Sequence, residues 1–210
     1  GVWKVVQDSL LNVSDGAASF ACTLAKGMRR LRILEGKENA SDHRISRNRV
    51  LRRCCVSVSR IIDTDVDEDA ATDIHRGLRQ PALLLALTEV VRDNDTGADA
   101  QRAAASALLT FCEKRPSLWK ELAKEIRGNS TLLKSFLAQA ASLQSVTDHR
   151  TQELAFETVF RMWKVWKKQS GGPPALPPST RSEVTEAIAS MSIKDFDAKV
   201  RTMLRAINNR

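Results

Sequence analysis

The chain has 210 residues, 42% of them hydrophobic and 28% charged, with a formal net charge of +8. That is room for one large or two small domains with a sizeable core. The absence of Tyr and aromatics at only 5% leave Leu, Ala and Val to fill the core, which suits helices better than sheets.

In chain order, Asp15 can cap a first helix running to about Leu34. Residues 35–43, EGKENASDH, break the pattern. A helix over Arg44–Ile62 follows, with Leu51, Cys55, Val58 and Ile62 spaced i, i+4, i+7 and i+11 along one face. The acidic stretch 63–71 is expected to be a loop. Thr72–Arg92 reads as one or two helices, with Pro81 at a start or a kink. The 93–98 segment is a turn. Ala98–Lys114 is helical with Ala104, Leu108 and Phe111 inward. Pro116 opens a helix to Arg127 that Gly128 stops. Ser130 is expected to cap the next helix, to about Leu143. Thr147 or Asp148 caps a long helix containing TQELAFETVFRMWKVWKKQ. A Gly- and Pro-rich loop over 169–180 ends it. Two helices finish the chain, near Ser182–Ser190 and Lys194–Asn208.

Four of these helices carry one pattern. Asn48, Leu51, Cys55 and Val58 share their spacing with Gln101, Ala104, Leu108 and Phe111. Gln152, Ala155, Val159 and Met162 repeat it, as do Asp197, Val200, Leu204 and Ile207. The interval is roughly 45–55 residues, near that of armadillo and HEAT repeats. In the long helix, Ala155, Val159, Met162 and Trp166 make one face, and Phe156, Phe160 and Trp163 the next. A face that wide needs more than one neighbour, as in a stacked solenoid. The expected fold class is therefore all-α, an armadillo/HEAT-like right-handed helical solenoid. The chain is read as a single armadillo-like domain over residues 1–210. Its first residue is Gly, so it is expected to be part of a longer protein.

Charge is uneven. Between Lys26 and Arg60 stand eleven bases and three acids, which accounts for the whole excess of +8. Setting Leu51 inward puts Arg49, Arg53 and Arg60 on the opposite face, where they can contact an acidic peptide or phosphates. On the long helix, Lys164 falls opposite Ala155 and is expected to face solvent. These four are the candidate partner-binding residues. An ordinary solvated face is the competing reading.

No catalytic, metal or cofactor site is expected. Phosphate-loop, nucleophile-elbow and zinc-protease motifs are absent from the sequence. His43, His75 and His149 are widely separated and read as surface residues. Asp63, Asp65 and Asp67 start like a calcium loop, but Glu68 replaces the turn Gly and Ile74 the closing Glu. Cys22, Cys54, Cys55 and Cys112 form no CxxC pair and read as reduced core residues of an intracellular protein. Trp163 and Trp166 continue an apolar face and read as core. No small-molecule substrate is expected. No membrane is either, because the longest apolar run, about six residues at Ala82–Leu87, is far short of the ~20 a span needs.

The second half carries a family resemblance, in Gln152, Glu153, Leu154, Glu157, Arg161 and Met162, then Phe196, Asp197, Arg201, Leu204 and Asn208. Over roughly Asp99–Asn209 the chain resembles the N-terminal armadillo-like domain of meiotic chromosome-axis core proteins, the synaptonemal complex protein 2 type. The resemblance implies a non-enzymatic scaffold in the nucleus that recruits protein partners to meiotic chromatin. Direct nucleic-acid binding through the basic region, to DNA or chromatin, is the alternative.

Overall fold

The computed structural model describes residues 27, 40–63, 81–93, 95–141, 148–175, 183–191, 194 and 196–208. The regular structure among them is all α-helical. The elements are α1 (Ala40–Asp63), α2 (Pro81–Arg92), α3 (Ala98–Lys114), α4 (Pro116–Gly128), α5 (Ser130–Ala141), α6 (His149–Lys168), α7 (Glu183–Ser190) and α8 (Phe196–Asn208). The expected helix to Leu34, apart from the helical Gly27, lies outside the described residues. So do residues 64–80 and 176–182.

Local chemistry sets most boundaries. Pro81 and Pro116 open α2 and α4, where a missing N–H costs nothing. Asp148 caps α6 by accepting from the backbone N–H of Thr151 at 2.8 Å. Four boundaries differ from expectation. α1 starts at Ala40, so the expected 35–43 break is helical in its last part. The cap of α5 is Asn129, not Ser130. The Asn129 Oδ1 accepts from the N–H of Thr131 and of Leu132, each at 3.1 Å, and Gly128 is the last residue of α4 rather than a stop beyond it. α8 starts at Phe196 rather than Lys194.

The long helices lie side by side in chain order. α3 packs on both α1 and α6, and α6 packs in turn on α8. A second series joins α5 to α2 and to α7. The series meet where α2 packs on α3, and where α5 and α7 pack on α6, with α4 against α3, α5 and α6.

The apolar stripes read from the sequence are the ones that close these contacts. Leu51, Cys55, Val58 and Ile62 are buried, as are Ala104, Leu108 and Phe111. Both faces of α6 are buried, including Phe156, Trp163 and Trp166. Each large side chain so buried contributes about 1.5–3 kcal/mol. Five aromatic rings run through the middle of the molecule. Phe111 meets Trp119 at 5.8 Å, Trp119 meets Phe136 at 6.1 Å, and Phe136 meets Trp166 at 6.4 Å. Trp163 then meets Trp166 edge-on at 5.8 Å.

Polar contacts fix the register between layers. Gln101, buried at the head of α3, donates through Nε2 to the Val91 carbonyl at 3.2 Å and the Asp93 carbonyl at 2.9 Å. It thereby satisfies the end of α2. Arg47 on α1 donates to the Asp95 carbonyl at 2.6 Å. Arg102 on α3 grips the Asp148 carboxylate with two bonds, 2.6 and 3.1 Å. Arg161 on α6 reaches Glu113 on α3 at 2.9 Å and its own neighbour Glu157 at 2.6 Å.

Candidate interaction surfaces

α1 buries one face and leaves the other outward. Arg49, Arg53 and Arg60 are all exposed, opposite the Leu51 stripe, and Arg52 joins them. Arg47, one of the eleven bases of the region, is only 7% exposed and fastens the 93–97 turn instead. The same outward face carries Ile45 and Val50, exposed at 59% and 39%. Guanidinium groups interleaved with solvent-facing aliphatic side chains are a mixture suited to protein contact. A surface dedicated to phosphate backbones is overwhelmingly cationic and polar.

Lys164 does not stand free in solvent. It is half-buried on α6, with Nζ 5.5 Å from the centre of the Phe160 ring. Lys164 lies opposite Ala155 on the helix wheel, but α4 packs against α6 there and partly covers it. Lys164 therefore lines a cleft of about 500 Å³ between α4 and α6. Lys120 and Lys124, four residues apart on α4, make one wall, and Arg161, Lys164 and Lys168 on α6 make the other. Cys112, Pro116, Trp119 and Val165 give the cleft an apolar floor, with Gln169 at its edge.

Its electrostatics are one-sided. Arg161 is paired with Glu113 and Glu157. Among the described residues, no carboxylate lies within ion-pair distance of Lys120, Lys124, Lys164 or Lys168. Partial burial, then the neighbouring charges of Lys168 and Arg161, hold the Lys164 ammonium below the usual lysine range. The Cys112 thiol is pushed well up by burial. Burial likewise raises Cys54 and Cys55, and all three cysteines are free thiols.

Hydrogen bonds tie α4 to α6 and to the loop that follows it. The Trp166 indole donates to the Ala123 carbonyl at 2.8 Å, and Gln169 Nε2 to the Lys120 carbonyl at 3.1 Å. Arg127 donates to the carbonyls of Ser170 and Gly171, at 3.0 and 2.7 Å. Gly171 has φ +94°, and a Cβ there would strike the Arg127 guanidinium. This glycine is the reason the loop after α6 can receive that contact.

The remaining residues of chemical interest are dispersed. His149 is exposed and lies 3.6 Å from Glu153 at the start of α6. Asp63 ends α1, where its carboxylate meets Lys114 at 3.1 Å. Asp65, Asp67, Glu68, Ile74, His75 and Cys22 lie outside the described residues. Among the described residues no group of acids, histidines and cysteines is placed to hold a metal ion, and no helix is long and apolar enough to cross a membrane.

No protein-family model, no curated protein and no solved structure matches this chain.

Proposed function

We propose that this chain is a non-enzymatic interaction scaffold whose stacked helices, an armadillo/HEAT-like solenoid, present a basic surface to an acidic protein partner. The observation that carries the reading is the outward face of α1, where Arg49, Arg53 and Arg60 alternate with exposed Ile45 and Val50. The order of packing supports the solenoid. Long helices neighbour one another in chain order and a second series backs them, as successive units of a repeat array would. The two interior long helices, α3 and α6, each pack on a long helix on either side, which a stack demands of its interior members.

We propose further, from the resemblance over Asp99–Asn209, that the scaffold acts on the meiotic chromosome axis, in the nucleus, where it recruits partners to chromatin. The motif residues Leu154 and Met162 are core, whereas Arg161 joins α6 to α3. They therefore support a shared architecture rather than a shared partner site. The test is the position of the tagged chain on spread meiotic nuclei of the source organism. Continuous lines along chromosome axes are the expected result, and exclusion from meiotic chromosomes would sink the axis reading while leaving the scaffold reading to the surface variants below.

A further inference from the structure

We propose that the cleft between α4 and α6 is a second, separate binding site, one that takes an acidic peptide segment carrying an apolar side chain. The cleft is cationic on both sides. Two rows of cations, Lys120 and Lys124 on α4 against Lys164 and Lys168 on α6, line a single cleft. Holding like charges together costs free energy, and no acid of the described residues offsets it at these four lysines. Water and counter-ions screen part of that cost, and an anion seated between the two rows removes more of it. The cost is visible in Lys164, which burial and its basic neighbours hold below the usual lysine range.

The floor selects among anions. It is apolar, and Trp119, only 2% exposed, forms part of it. The cleft thus offers an apolar surface and a cationic rim. A peptide answers both, with an aliphatic side chain and flanking carboxylates. A bare oligophosphate supplies charge but no apolar surface. A volume of about 500 Å³ suits a few residues rather than a folded domain.

Lys120, Lys124 and Lys168 are exposed, so their replacement leaves the core intact. The experiment is fluorescence anisotropy at low salt with a labelled dodecapeptide of alternating Glu and Ser around one central Leu. The chain is expected to bind it, and K120E/K168E to weaken binding at least tenfold with an unchanged thermal melt. Replacing the central Leu by Ser should weaken binding several-fold. R49E/R53E should leave it unaltered, which separates this site from the α1 surface. Absence of binding overturns the proposal, as does equal binding by K120E/K168E. Loss of binding in R49E/R53E assigns the peptide to α1 and overturns it too. Displacement of the peptide by tripolyphosphate at equal concentration, with no effect of the Leu replacement, would make the cleft a simple oligoanion site and overturn the peptide reading.

Discussion

The indole N–H of Trp166 donates to the backbone carbonyl of Ala123 at 2.8 Å, and that bond joins α6 to α4 beneath the basic cleft. Trp166 is fully buried, in ring contact with Phe136 and Trp163. W166F removes the donor and part of the ring, and is expected to cost about 1–3 kcal/mol. Urea denaturation followed by circular dichroism measures it. A loss below about 0.5 kcal/mol would show that α4 and α6 are held by other contacts.

Asp148 joins three groups at the head of α6. Its carboxylate caps the helix through Thr151 and pairs with Arg102 of the preceding long helix. The Arg102 bond, with help from Thr151, holds its carboxyl down at about 2, against an ordinary value of 3.8. A depressed carboxylate stabilises the fold fully above its ordinary value and loses that contribution as pH falls toward the folded value. D148A is expected to cost about 1–2 kcal/mol at neutral pH. The gap between wild type and D148A should close between pH 3.8 and about 2. A gap that persists below that range would contradict the ionised cap.

Gly97, in the turn before α3, sits against Asn48 of α1. A Cβ there would come within 2.8 Å of the Asn48 side-chain nitrogen. Because that atom ends a side chain, it can give way at modest cost. G97A is expected to lower stability by about 1 kcal/mol, and N48A/G97A to recover most of the loss relative to N48A alone. Thermal melts of the four chains complete the cycle. Additive effects would place the cost in the turn backbone instead.

Much of the fold is legible in local pattern. The bounds of α3 are those the spacing predicts, and the Leu51, Ala104 and Ala155 stripes are all buried, because a helix stripe is fixed by sequence period alone. The cap of α5 falls one residue before the expected Ser130, since Asn129 and Ser130 are both good caps and only geometry chooses between them. The cleft was not legible. Its walls come from residues about 40 apart in the chain, and their approach depends on Trp166 reaching Ala123. Lys164 shows the same limit, since a wheel gives its direction but not whether another helix covers it. Arg47 shows it in reverse, as a base that composition counts toward the surface and the fold spends on Asp95.

Reversing charge on α1 tests the exposed surface without touching the core. R49E/R53E should leave the melting temperature within a few degrees of wild type, because surface changes of this kind stay within about 0.5 kcal/mol. It should also abolish recovery of the native partner from meiotic extract. Duplex DNA provides the opposing measurement. Binding at low salt that falls tenfold or more over a few-fold rise in salt, and is lost in R49E/R53E, would favour nucleic acid as the ligand of α1.

The most direct measurement is a photo-crosslinker placed at Arg53 in the tagged chain, expressed in meiotic cells and followed by identification of what it captures. The account predicts a protein joined through a segment rich in Asp and Glu, with capture lost when Arg49 is also replaced by Glu. Crosslinks to nucleic acid alone, or protein capture indifferent to Arg49, would contradict it.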